Sequence, residues 1–180
     1  MTQTSESPVS RPLPEDGLQF LSFMLDGECF GVDIRGIQEV LAFRAVTPVP
    51  RDADDMLGVI NLRGRVIPVM DLRRHFRMHC AKPDVDTCIV IVQVQVDDDS
   101  AAVGILADRV HEVVTAEAAD LCPPPRIGNR VPAQFIQAMV CRDDAFVILL
   151  DLNRILAEDR RPAGLAEQMP ADEVEVGEWA

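Results

Sequence analysis

Apolar positions along the chain fall into short runs separated by turn residues. Residues 18–25 (LQFLSFML) form an apolar run with partial alternation. Asp26-Gly27 is a two-residue hairpin signal, and residues 28–32 (ECFGV) read as the returning strand. Asp33 stands where it would cap a helix over residues 34–41, because Ile34, Ile37, Val40 and Leu41 recur at helical spacing. Pro48 and Pro50 then break the chain. Residues 56–62 read as helix or extended chain, Arg63-Gly64 as a turn, and 65–70 as a strand that Pro68 confines to an edge or a bulge. Asp71 is the expected cap of a short helix over 72–77. Residues 87–96 (TCIVIVQVQV) predict a long buried strand, 97–100 a turn and 101–107 its return. Asp108 is the expected cap of a second helix over 108–114. Three prolines at 123–125 interrupt the chain again, and residues 136–156 complete the core.

The pattern occurs twice. Gly31-Val32 matches Gly104-Ile105, and Ile37, Glu39 and Val40 match Val110, Glu112 and Val113. The run from Val66 to Arg74 matches that from Phe146 to Arg154. The offset is 73 residues at the first match (31 to 104) and 80 at the last (66 to 146), so the order holds. Each unit is about 70 residues with about five strands, which suits a small barrel or sandwich. The expectation is a pair of small all-β barrels with a seam between them and the two helices covering their open ends.

Composition narrows the function. Seventeen basic side chains stand against thirty acidic ones, a formal charge of −13 in 180 residues. Phosphate backbones need positive charge, so nucleic acid is not an expected partner. Aromatic residues are only 4% of the chain, too few for base-stacking platforms. No apolar run approaches the roughly 18 residues of a membrane span, so no direct membrane insertion is expected. The five cysteines are scattered and form no CxxC pair, which reads as free thiols in a reducing compartment.

Catalytic signatures are missing. The chain has no GxGxxG, no GxxxxGK[ST] and no GxSxG. His75 and His79 lie four apart with Cys80 adjacent. A small metal-dependent enzyme built on them is the alternative from another class, but RRHFRMHC lacks a glutamate base and a third ligand. No catalytic, cofactor or metal residues are therefore assigned. Arg63, Arg65, Arg73, Arg74 and Arg77 crowd around a single acid, Asp71. Either distant acids pair them, or they form a patch for an acidic partner. Arg63, at a turn tip, is expected to be exposed and free for bidentate contacts.

Several of these residues together resemble the CheW family. They are Asn61-Leu62-Arg63-Gly64 followed by VIPVMDLR, the opening FLSF-x-L-x-G-x-x-FGVDI, Ile37-Gln38-Glu39-Val40, and Gly104-Ile105 leading to Asp108. The resemblance runs from about Leu18 to Leu156. It implies a mainly β fold of two five-stranded SH3-like β-barrels side by side with a few short helices. The CheW-like domain would span 18–156, with first-half motifs over 18–76 and second-half motifs over 87–156 and an exchange of strands between halves left open. Residues 1–17 and 157–180 would be tails, the second acidic.

The function implied is that of a non-catalytic adaptor that couples chemoreceptors to the histidine kinase CheA. Its partners would be the CheA regulatory domain and the cytoplasmic signalling tips of the receptors. The receptor tip would dock in the groove between the barrels. The protein would be a cytoplasmic monomer in isolation, recruited to membrane-associated receptor arrays. Arg63 and Glu39 are the leading contact residues by that resemblance, with Asn61 and Gly64 shaping the turn and Gly58 leading into it. Val59, Ile60, Gly104, Ile105, Val110 and Val113 are the expected groove lining. Ala138 stands where the family usually has glycine, and Arg109 puts a cation beside the groove. A coupling protein of a non-flagellar pathway, twitching or other, fits the same residues.

Overall fold

The computed structural model describes residues 15–50, 55–123 and 130–159; both expected tails lie almost wholly outside them. The first strands are β1 (Leu18–Leu25), β2 (Glu28–Asp33), β3 (Ile37–Ala42), β4 (Met56–Leu62) and β5 (Arg65–Met70). After helix α1 (Leu72–His75) come β6 (Cys88–Val96), β7 (Asp99–Ala107), β8 (Arg109–Ala116), the two-residue β9 (Leu121–Cys122), β10 (Ile136–Arg142) and β11 (Ala145–Leu150). Helix α2 (Leu152–Asp159) follows. Two sheets result, with strand orders β8-β1-β2-β11-β10-β9 and β3-β6-β7-β5-β4.

Two expected helices are strands. Asp33 does cap, accepting the Arg35 N–H, but only one 3-10 turn, Ile34–Gly36, follows before β3. The second expected helix, over 108–114, is replaced by β8, which begins at Arg109. Short windows of this kind satisfy helical and strand spacing alike, and the β-branched Ile and Val at their apolar positions favour the strand. In β3 a register shift after Ile37 sets Ile37 opposite Val92 on the central core, while Leu41 packs on the smaller cluster of the other face. Pro68 lies in an interior strand, not an edge. The parallel pairing of β5 with β7 covers only Val69 and Met70, so the missing N–H of Pro68 falls just beyond it.

The sequence repeat is a repeat of pairing. Leu149 lies opposite Gly31 in the parallel β11–β2 pair, and Val69 lies opposite Gly104 in the parallel β5–β7 pair. Asp71 N donates to Asp55 O, and Asp151 N donates to Phe135 O, both at 2.8 Å. Placing β3-β6-β7-β5-β4 on β8-β1-β2-β11-β10 matches every one of these contacts. Each sheet therefore takes its first two strands from one repeat and the rest from the other.

The expected barrels do not form. Among the described residues neither sheet closes, because no ladder joins β3 to β4 or β8 to β9. The chain beyond β3 reaches β4 through a single bridge, Thr47 with Val59. Pro48 and Pro50 follow it directly and cannot donate to a ladder; Pro123 ends β9 in the same way. Arginine side chains span the gaps instead. Arg63 reaches Glu39 on β3 from the β4–β5 hairpin, and Arg142 on β10 donates to Thr115 O on β8 at 3.0 Å.

Alternation along the strands divides the apolar residues between two faces. Leu21, Phe23 and Phe30 of the first sheet pack with Val90, Val92 and Ile105 of the second in one central core. The opposite faces enclose smaller clusters: Ile60, Ile67, Val69, Ile89 and Ile91 in the five-stranded sheet, and Leu18, Phe20, Val140 and Leu149 in the six-stranded one. The seam between the units is thus largely filled with side chains.

Candidate functional site

The β4–β5 hairpin presents the most exposed of the expected contact residues. Arg63 and Gly64 occupy its two central positions with φ of 52° and 81°, the mirror-type turn that matches strand twist. The Asn61 side chain accepts the Gly64 N–H at 2.9 Å and fixes the turn. Arg63 is then held out from the sheet, with 74% of its side chain exposed. It is not free: it makes a two-pronged pair with Glu39, Nη1–Oε1 at 2.6 Å and Nη2–Oε2 at 3.1 Å. The Arg63 guanidinium holds the Glu39 carboxyl below the usual range, and Glu39 raises the Arg63 pKa in turn. Sequence reading singled out both residues; the structure joins them across the two edges of the five-stranded sheet.

The remaining expected residues separate by depth. Gly58 is buried, with φ of 149°, and a Cβ there would lie 2.0 Å from Thr47 O, so this glycine is what admits the Thr47–Val59 bridge. Ala138, its counterpart, does not have positive φ, so alanine is unstrained there. Val59 is half-buried and Ile60 is core. Gly104 lies beneath Ile89 and Val69, and Ile105 belongs to the central core. Val110 and Val113 lie on one sheet face, because a register shift between them sets Val110 opposite Phe23 and Val113 opposite Leu21. Val110 packs on the core, while Val113 is 51% exposed. Gly58, Ile60, Gly104 and Ile105 accordingly shape the fold beneath a surface and do not form one.

The arginine cluster likewise divides. Arg73 is almost wholly buried, bonded to both Asp71 oxygens at 2.9 Å, to Asp108 at 2.6 Å and to Ala81 O at 3.1 Å. Asp108 is the anion for this arginine and not a helix cap. Burial works against the charge, but Asp71 and Asp108 outweigh it and raise the Arg73 pKa. Arg109 pairs with Asp86 at 2.5 Å. Arg65 and Arg77 are exposed without an ion-pair partner among the described residues. His75 Nδ1 faces Asp55 at 2.9 Å, and its ring packs edge-on against Phe76 and Phe135. Among the described residues no three His, Cys, Asp or Glu side chains converge on a metal position.

Of the exposed apolar residues on the two sheets, sequence reading assigned Val113 to the groove but missed Val40, Val66 and Phe146. Val40 and Val66 on the five-stranded sheet, and Val113 and Phe146 on the other, are large and solvent-facing. They occupy matching repeat positions: Val40 corresponds to Val113 and Val66 to Phe146. Register puts all four on the sheet face that carries the central core, since Val40 opposes Val90 and Val113 opposes Leu21. The repeat matches were the signal that could have found them. The six-stranded sheet also has an open depression of about 660 Å³ over Phe20, Ser22, Val140, Arg142 and Val147. In the other sheet, Ile91 and Leu62 fill the places of Ser22 and Arg142.

The CheW-like domain family model matches residues 19–160. The chain belongs to the CheW-like family. It is 29% identical over 155 residues to the chemotaxis protein CheW of Rhizobium meliloti, covering 86% of this chain and 97% of that protein. It is 33% identical over 145 residues to the chemotaxis protein CheW of Helicobacter pylori, covering 81% and 85%. The crystal structure of the scaffolding protein TtCheW from Thermoanaerobacter tengcongensis superposes with a TM-score of 0.67 at 29% identity, covering 75% of this chain and 89% of that one. The protein is a non-catalytic chemotaxis adaptor of the CheW type, a class that binds CheA and chemoreceptors at receptor arrays. No helix among the described residues is long and apolar enough to cross a membrane.

Proposed function

We propose that this chain bridges chemoreceptor signalling tips and the regulatory domain of its cognate CheA through two separate surfaces, one on each sheet. An adaptor must hold two partners at once, and the observation that carries the reading is the matched pair of exposed apolar sites. Val40 follows Glu39 on β3 and Val66 stands near the start of β5 just after the Arg63 turn, and Val113 and Phe146 mark the corresponding places on the other sheet. Partly buried apolar anchors rimmed by charge are the usual composition of a protein contact. Arg63, Glu39 and Asn61 form the polar rim of the first surface, Val59 lies beside it, and Val110 supports the second from beneath. The protein works in the cytoplasm as a monomer until array contacts recruit it.

Separate pull-downs with the CheA regulatory domain and with receptor cytoplasmic fragments test this. Arg63→Glu and Phe146→Asp should each weaken capture of one partner much more than the other, with circular dichroism unchanged. Undiminished capture of both partners by both variants would reject the assignment of surfaces. Failure of the unaltered protein to capture either would reject the coupling role itself.

A further inference from the structure

Cys122 and Cys141 are joined in a disulfide, with Cα atoms 6.1 Å apart, against the expectation of five free thiols; Cys29, Cys80 and Cys88 remain free. The bond ties the two-residue strand β9 to β10. Cys122 lies opposite Met139, and Cys141 lies opposite Phe146 on the next strand. Opposed residues, and residues two apart on one strand, share a sheet face. Cys122, Met139, Cys141, Ile148 and Phe146 therefore form one patch. It starts in the central core at Met139 and ends at Phe146, whose side is 59% exposed. The sulfurs lie between these two ends, on half-buried residues that a small reductant can reach.

Among the described residues, the other ties of β9 are few: Leu121 and Cys122 pack at the margins of the apolar clusters. Its ladder consists of two pairings, Cys122 with Met139 and Leu121 with Val140. Besides these, Asp120, immediately before it, pairs with Arg142 at 2.9 Å. The matching positions of the other sheet are Thr47 and Asn61, so the cross-link belongs to this sheet alone. A two-residue edge strand is the kind of element that opens locally at low cost.

We propose that the Cys122–Cys141 pair is a redox-sensitive clasp that decides whether β9 stays on the sheet, and so sets the surface beside Phe146. Reduction proceeds by thiol–disulfide exchange with a dithiol. One thiolate of the dithiol attacks a sulfur and breaks the protein S–S bond, giving a mixed disulfide. The second thiolate resolves it. Two electrons and two protons end on Cys122 and Cys141, and the dithiol leaves as a disulfide. A small disulfide such as oxidised glutathione reverses the exchange by the same steps. In the dithiol state β9 opens, and the edge of β10 next to Phe146 becomes exposed.

The test uses the full chain treated with oxidised glutathione or with dithiothreitol, and reads the protein's own thiols and amides. Alkylation followed by mass measurement should find two more reactive cysteines after reduction. Amide exchange across residues 117–123 and 136–142 should quicken by about tenfold or more on reduction, while exchange in β6 and β7 stays unchanged. Cys141→Ser should exchange like the reduced protein under both conditions, whereas Cys88→Ser should keep the redox response. Equal thiol counts in the two states, or exchange at 117–123 indifferent to reduction of the unaltered protein, would overturn the proposal.

Discussion

Replacing Arg73 with leucine removes the cation that the fold is built around, and the structure sets the size of the effect. Arg73 is 3% exposed and Asp71 is 1% exposed, so neither charge is screened by water. Arg73→Leu strands the Asp71 carboxylate with little beyond its backbone donor at residue 73 and the Arg74 Nε at 3.9 Å. Asp108 is better placed, since it retains solvent contact and the Asp26 N–H at 2.8 Å. Breaking a buried pair by deleting one partner costs about 3–5 kcal/mol, a large part of the roughly 5–15 kcal/mol that stabilises a domain. With a urea slope of about 2 kcal/mol per molar, the unfolding midpoint should fall by about 2 M. Neutralising the stranded anion should restore much of this, because asparagine still caps α1 and carries no charge. Arg73→Leu/Asp71→Asn should therefore unfold at a clearly higher urea concentration than Arg73→Leu alone. Arg63→Leu, ten residues away but exposed, should unfold at the wild-type midpoint. A loss below about 1 kcal/mol for Arg73→Leu, or a double variant no better than the single one, would refute the view that Arg73 is structural and Arg63 available to partners.

Other outcomes follow from the same geometry. Gly58→Ala meets Thr47 O at 2.0 Å and adopts a φ of 149°; thermal unfolding should show a loss of about 3 kcal/mol or more, whereas Ala138→Gly should change little. Keeping Cys122 and Cys141 reduced opens a covalent loop spanning 19 residues of separation, worth about 3 kcal/mol by chain entropy, so reducing agent should lower the melting temperature. The carboxyls of Asp26, Glu39 and Asp120 are held below the ordinary range, chiefly by the His79 backbone N–H, the Arg63 side chain and the Glu117 backbone N–H respectively. Their native pKa values lie below the unfolded ones, so their contribution is complete above roughly pH 4 and is lost as pH falls through the native values. Urea midpoints measured from pH 7 down to pH 3 should therefore decline, and a rise would contradict the pairing.

Hairpins were legible in the sequence because their signals are local. Asp26-Gly27 and Arg63-Gly64 name the residues that tolerate positive φ, and the strands on either side follow. The family was legible for a related reason, since its motifs sit on those turns and on the glycines at the close parallel pairings. The misreadings arose where the answer depended on distant chain. Residues 37–42 become a strand because β6 supplies a ladder, and nothing within the segment announces β6. Two closed barrels were the natural inference from two sets of about five strands. Closure, however, requires donors at the seam, and Pro48, Pro50 and Pro123 withhold them just where the edges approach.

The candidate site shows the same division. Glu39 and Arg63 were each identifiable, but 24 residues of separation hid their pairing, which exists because the sheet curls without closing. Gly104 and Ile105, which match Gly31 and Val32 in the repeat, were expected in the groove by the family resemblance. They recur for packing, each sheet needing a bare backbone where its two parallel strands meet. The exposed residues Val40, Val66 and Phe146 were passed over because valine and phenylalanine on strands ordinarily signify core. Only the repeat, laid over the register, reveals that both copies leave the same two positions uncovered. Exposure in one copy alone would be an accident of packing; exposure in both at matched positions is the observation on which the proposal of two contact surfaces rests.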